Sequence, residues 1–148
     1  MKGYFDTGLL VKLYILEANS HTAVKLVHDH QTPIIFTHLH ETELQNAIRL
    51  KCFRGEITRR EAQTAINTIR TDFSAGKLFR PSLDWPEIWH QANQLSARFA
   101  VQIGARTLDT LHVATATLLK TSKFISFDVR QRTLAKKTGL TVIPQVLI

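Results

Sequence analysis

Phe124-Ile125-Ser126-Phe127-Asp128 is the stretch on which the fold turns. It is short and almost wholly apolar, with none of the alternation of a strand wet on one side, and it ends on an acid. Asp128 and Gln131 then make a capping-box pair, so a helix is expected at once. The N-terminus repeats the pattern, with Gly3-Tyr4-Phe5 followed by Asp6. Residues 34–36 and 141–143 are further apolar runs of strand length, and residues 77–79 a further short extended piece. Between them, apolar residues three and four apart predict helices over residues 39–53, 58–73, 85–101 and 107–119. Thr58 with Glu61, and Asp84 with Glu87 after Pro86 in the first turn, mark two helix starts, and Gly139 marks a stop after residues 134–137. Trp85, Trp89 and Phe99 fall on helical spacing and read as core. Apolar strands separated by helices predict an α/β chain, a three-layer α/β/α sandwich with a central parallel sheet.

The chain has 148 residues, of which 44% are hydrophobic and 21% charged, which predicts one folded domain over residues 1–148. No repeat, low-complexity tract or linker divides it. No run approaches the roughly 18 apolar residues of a membrane span, and the N-terminus opens straight into the segment from Lys2 to Phe5 without a signal-peptide layout, so a cytoplasmic protein is expected. Cys52 stands alone, which excludes an internal disulfide and any paired-cysteine zinc or redox motif. Lys and Arg number 19 against 12 Asp and Glu, a formal charge of +7. The excess gathers at Arg49, Lys51, Arg54, Arg59 and Arg60, and again at Arg130, Arg132, Lys136 and Lys137. Such clusters suit a polyanion such as nucleic acid, or equally a solvated helix face.

Against that basic background the placement of four acids is informative. Asp6 and Asp128 each follow a strand directly, so in a parallel sheet both leave at the same edge, where open α/β sheets bind ligands. Asp109 opens a helix with Val113 and Ala116 four and seven residues on, which turns it toward the sheet. Glu43, with Ala47 and Leu50 at the same spacings, sits at the border of an apolar helix face. Each has an ordinary alternative: Asp6 and Asp128 as N-caps, Asp109 as a first-turn acid facing the helix dipole, Glu43 as a polar boundary residue. Together, four acids at one sheet edge would repel one another, raise their pKa values and require a positive partner. An all-oxygen, carboxylate-rich set favours a hard cation, Mg²⁺ or Mn²⁺, with a phosphate oxygen as the usual further occupant.

At these residues the sequence resembles the PIN-domain ribonucleases, of the VapC-like toxin type found in bacterial toxin–antitoxin pairs. The resemblance runs from Tyr4-Phe5-Asp6-Thr7 with Leu10 to Tyr14, through Glu43-Leu44 with Ala47 and the turn from Phe53 to Thr58. Its most specific stretch is Gly104-Ala105-Arg106-Thr107-Leu108-Asp109-Thr110-Leu111-His112-Val113-Ala114-Thr115-Ala116, and it ends with Phe127-Asp128, Arg130, Gln131, Leu134-Ala135 and Gly139-Leu140. Gly8 and Ser126 depart from it, standing where serine and threonine are common, and neither removes a carboxylate.

The resemblance implies metal-assisted hydrolysis of RNA phosphodiesters, leaving 5′-phosphate and 3′-hydroxyl ends. It makes Asp6 and Asp109 direct metal ligands, Asp128 a ligand directly or through water, and Glu43 the group that holds or deprotonates the attacking water. Thr7 and Ser126 would orient those ligands from behind, and Arg54, Arg106 and Arg130 would hold the RNA backbone. His112, three residues after Asp109, is expected to pack or make a structural hydrogen bond. A cognate antitoxin and a homodimer are the implied protein partners, with no membrane.

Three rivals remain in view. A zinc hydrolase would draw on His28, His30, His38 and His40, but no H-E-x-x-H is present, and His38 and His40 do not share a helix face. A non-catalytic nucleic-acid-binding protein would suit the charge, although four converging acids would repel phosphate. A structure-specific DNA nuclease shares the acid cluster, but 148 residues leave little room for additional substrate-handling elements.

Overall fold

The computed structural model describes residues 3–30 and 33–147. Lys2 of the expected opening segment, and residues 1, 31, 32 and 148 of the expected single domain, lie outside the described residues. In chain order the elements are β1 (Gly3–Phe5), α1 (Thr7–Tyr14), α2 (Ser20–His30), β2 (Ile34–Ile35), α3 (His38–Phe53), α4 (Arg59–Ser74), β3 (Leu78–Phe79), α5 (Trp85–Ile103), α6 (Thr107–Leu118), β4 (Lys123–Ile125), α7 (Val129–Lys137) and β5 (Thr141–Ile143). The class is α/β with parallel strands, as expected. Within the described residues the parallel strands hydrogen-bond in the orders β1-β4-β5 and β2-β3. The second is only two residues wide, Ile34 opposite Leu78 and Ile35 opposite Phe79. The chain groups into two compact units, one formed by the residues up to Asp6 with those from Ser82 on, the other by Thr7–Pro81.

In the first unit Tyr4 lies opposite Phe124, and Phe124 opposite Val142. The ladder runs one residue past each strand, through Asp6 N–H to the Ile125 carbonyl and Ser126 N–H to the Ile143 carbonyl, both 3.1 Å. Tyr4 stacks on Phe124 with ring centroids 5.6 Å apart. Helix α6 is buried without a break from Asp109 to Ala116, its polar Asp109, Thr110, His112 and Thr115 included. Helix α5 buries the stripe Ile88, Ala92 and Leu95. That stripe corrects the reading of Trp89 as core: one position round from Ile88, it is half exposed, while Trp85 and Phe99 are intermediate. Gly104 ends α5 in the left-handed region at φ 71°, its N–H on the Ala100 carbonyl at 2.8 Å, and so turns the chain into Arg106 and α6. Asp84 caps α5 as expected. Asp128 caps α7 through Gln131 N–H, but the return half of that box is missing: Gln131 Oε1 is buried without a hydrogen-bond partner.

In the second unit the Thr58–Glu61 capping box forms in both directions. Helix α3 begins with a box that sequence reasoning passed over, because its third residue is His40 rather than Glu or Gln. The Thr37 hydroxyl accepts from His40 N–H, and His40 Nδ1 accepts from Thr37 N–H at 3.1 Å. Helix α2 was also not anticipated; its histidines and Lys25 dilute the apolar period, and it buries only Ser20 and Ala23. Around the loop after α1, Glu17 pairs with Lys12 at 3.0 Å and with Lys51, which also reaches Glu56.

Burial alone would raise the Glu17 carboxyl, but the Lys51 and Lys12 ammonium groups outweigh it and hold the group below its ordinary 4.5. A lowered folded value means that the pairing stabilises the fold above about pH 4.5 and that this contribution is lost as pH falls through the folded value. Glu17→Gln is expected to cost about 1 kcal/mol at neutral pH and to flatten the acid limb of the stability profile. Urea denaturation between pH 3 and pH 7 (roughly the carboxylate window) measures both, and an unchanged acid limb would rule the pairing out as a stabilising contact.

Candidate active site at the strand ends

Three of the four singled-out acids belong to the first unit, and one hydrogen-bonded chain links them. Asp6 follows β1 and is 2% exposed. The hydroxyl of Ser126, the residue after β4, donates to Asp6 Oδ2 at 2.8 Å. The Ser126 hydroxyl oxygen in turn accepts from Asp128 N–H at 2.9 Å. Asp128 Oδ1 accepts from Gln131 N–H at 3.0 Å, which caps α7, and its Oδ2 faces Arg106 Nη2 at 3.4 Å. Arg106 Nε lies 3.3 Å from Asp109 Oδ2, which also accepts from Arg106 main-chain N–H at 2.8 Å. The order is therefore Asp6, Ser126, Asp128, Arg106, Asp109.

The capping reading and the site reading of these acids hold together. Asp128 is the N-cap of α7, and Asp109, at the third position of α6, closes half a capping box on Arg106. Capping fixes where each carboxylate points. Asp109 is 1% exposed, and a buried carboxylate needs donors or a cation. Arg106 supplies both from a side chain that is itself 61% exposed.

Glu43 stands in the second unit, half-buried on α3, where the Thr7 hydroxyl donates to its Oε1 at 3.0 Å. Of the arginines expected to bind RNA, Arg54 in the second unit pairs with Glu56 at 2.9 Å, while in the first unit Arg130 is exposed on α7 and Arg106 lies on Asp109. Arg132 leaves the basic surface altogether. It is buried, donates from Nη1 to the Ser126 carbonyl at 2.9 Å and from Nη2 to the Pro144 carbonyl at 2.6 Å, and burial lowers its pKa. Sequence reasoning missed Arg132 as a support of the site, and its position directly after Gln131, whose N–H the cap holds, on the buried side of α7, was the available signal.

His112 is fully buried and its Nδ1 meets the Tyr4 hydroxyl at 2.7 Å, a hydrogen bond between α6 and β1. Of the other histidines, His40 serves the α3 cap, His30 Nδ1 donates to the Leu26 carbonyl, and His38 Nδ1 accepts from Arg80 Nη1 at 3.0 Å. Two cavities of about 490 and 610 Å³ in the second unit share Leu13, Tyr14 and Thr68, and Glu43 lines neither. In the first of them burial, and then the Asp72 carboxylate that accepts from its hydroxyl, push the Tyr14 phenol far up, so Tyr14 keeps its proton.

The donor chemistry at the strand ends, three carboxylates from β1, β4 and α6, suits a hard divalent cation. Among the described residues, however, no group of three or more His, Cys, Asp or Glu is gathered closely enough to hold a metal ion as it stands. Asp109 and Asp128 face the Arg106 guanidinium, and Asp6 accepts from Ser126. Among the described residues, no helix is long and apolar enough to cross a membrane.

Among solved structures, the chain is similar in fold to FitAcB from Neisseria gonorrhoeae, with a TM-score of 0.65 at 13% identity over 97% of this chain and 98% of that one. At that identity the likeness is one of fold. No family model matches the sequence. No curated protein matches it either.

The Ser126 hydroxyl both donates to a buried carboxylate and accepts from a main-chain N–H. Ser126→Ala is therefore expected to destabilise the protein by about 1–3 kcal/mol, whereas Ser126→Thr, which keeps the hydroxyl, should recover most of it. Chemical denaturation of the pair decides this; equal losses in both would point to packing instead of the hydrogen bonds.

Proposed function

We propose that this protein is a PIN-type, metal-dependent endoribonuclease, the toxin of a toxin–antitoxin pair, acting in the cytoplasm. The observation that carries the reading is the linked order of Asp6, Ser126, Asp128, Arg106 and Asp109 at the ends of β1 and β4 and the start of α6. A buried acid cluster at the carboxyl edge of a parallel sheet is costly to the fold, and chemistry at that edge is the usual reason to keep one.

In this reading Asp6 and Asp109 hold a divalent cation, Mg²⁺ or Mn²⁺, with Asp128 joining directly or through water. When bound, the cation polarises a phosphoryl oxygen and lowers the pKa of water. Ser126 keeps Asp6 in place, and the caps of α6 and α7 do the same for Asp109 and Asp128. Glu43 is the fourth acid, assigned to the attacking water; its support is the hydrogen bond from Thr7, the residue directly after Asp6 in the chain. Arg54, Arg106 and Arg130 take the RNA backbone, where counterion release supplies affinity and makes it fall with salt. The shared fold with FitAcB agrees with a toxin that has an antitoxin as its partner, and a homodimer is the expected assembly.

Incubation of the purified protein with total RNA, with Mg²⁺ and then with EDTA, tests the reading directly. Cleavage should require the ion and leave 5′-phosphate and 3′-hydroxyl ends. Asp6→Asn and Asp109→Asn should each lower the cleavage rate by about 100-fold or more. Their melting temperatures should hold or rise, because each amide still accepts a hydrogen bond while removing charge from a crowded edge. Retention of intact RNA without turnover would support a non-catalytic binder, and cleavage of branched DNA but not RNA would support the structure-specific nuclease.

A further inference from the structure

We infer that the cleft of about 490 Å³ in the second unit is a binding site for a small zwitterion, a free α-amino acid with a large apolar side chain. The inference stands apart from the nuclease reading: it uses none of Asp6, Glu43, Asp109 or Asp128, and no metal ion.

The cleft lies among α1, α2, α4, β2 and β3. Leu13, Val27, Pro33, Ile34 and Leu78 give it apolar walls, and Tyr14, Asp72 and Lys77 bring polar groups to it. Small-molecule sites have this size and this make-up, mostly apolar with a few convergent polar groups.

Asp72 carries the argument. It stands in the last turn of α4, where the helix dipole presents its negative end and no basic residue of that turn offsets it. A carboxylate there costs stability unless something positive meets it. The Tyr14 hydroxyl donates to Asp72 Oδ2 at 2.9 Å, which fixes the carboxylate without neutralising it. Burial, and then Asp72 itself, keep the phenol protonated, so this donor is permanent. Lys77 Nζ stands 3.5 Å from Asp72 Oδ1 on a side chain that is 71% exposed, whereas that of Asp72 is 21% exposed. A pair so long, with one partner in water, is weak.

Two opposite charges therefore stand side by side at an apolar cavity, one fixed and sheltered, the other exposed. Lys77 opposes a ligand that is only a cation, and Asp72 one that is only an anion. A ligand carrying both signs meets each with its opposite, and the pair already present need not break. An α-amino acid has that form, with roughly 3 Å between its ammonium nitrogen and its carboxylate oxygens. The ammonium goes to Asp72, the carboxylate to Lys77 and the side chain to the apolar walls, where loss of water from its surface favours binding.

Calorimetric titration of the full chain with L-leucine and L-phenylalanine tests this. Phenethylamine, which lacks the carboxylate, 3-phenylpropanoate, which lacks the amine, and glycine, which lacks the side chain, serve as the comparison. At least one of the two apolar amino acids should bind with a Kd below about 10 mM, and the three comparison compounds about tenfold more weakly or less. Lys77→Gln, at an exposed position, should weaken binding by about fivefold with the fold intact, and Asp72→Asn, which still accepts from Tyr14, by about tenfold. Arg130→Gln, on α7 of the first unit, should leave the affinity unchanged. Phenethylamine binding as tightly as L-phenylalanine would make this an amine site, and 3-phenylpropanoate doing so an acid site; either overturns the inference. So does amino-acid binding that Lys77→Gln and Asp72→Asn leave unchanged, and so does an absence of binding by both amino acids up to about 10 mM. RNA cleavage is tested separately by the incubation with total RNA, and none of these outcomes bears on it.

Discussion

Parallel pairing of β1 with β4, in the register that sets Phe5 opposite Ile125, is the constraint on which the rest depends. It makes both strands end on the same side, so Asp6 and the Ser126–Asp128 turn leave the sheet together. Side chains alternate across a strand, and a slip of one residue would send one of these groups to the opposite face. The aromatic stack of Tyr4 on Phe124 and the hydrogen bond of Tyr4 to His112 oppose such a slip, because all three side chains are buried and fill one place. The same hydrogen bond ties α6 to β1, and α6 brings Asp109.

Much of this was legible in the chain because its signals are local. Residues 3–5 and 141–143 could be read as strands since they lack the alternation of a half-wet strand, and residues 58–73 as a helix because Thr58 and Glu61 announce its start. Where the pattern depended on distant partners, it was not legible. The pairing of β2 with β3 joins residues more than forty apart, and no local signal announces it. Trp89 kept helical spacing with Trp85, yet the stripe that α5 buries is set by Ile88, Ala92 and Leu95, one position away.

The acids show the same division. Asp6, Asp109 and Asp128 could be singled out from their places beside strands and at helix starts, and capping, which looked like a competing explanation, proves to be how two of them are aimed. Arg106 could not be read this way. One of its carboxylates lies three residues on in the same helix turn, but the other lies 22 residues on, after a further strand. Arg132 was misplaced for a related reason: charge counted along the chain does not show that a guanidinium is turned inward and shared between the Ser126 and Pro144 carbonyls.

Arg132 gives the acid edge an electrostatic asymmetry. No carboxylate among the described residues pairs with it, so its charge stands unneutralised just behind Ser126, in surroundings that mobile ions penetrate poorly. The other arginine at this edge faces solvent. Raising ionic strength will therefore weaken one positive influence on the carboxylates and leave the other nearly intact. The acids keep a permanent background potential whatever the salt, and the electrolyte tunes only the outer half of it.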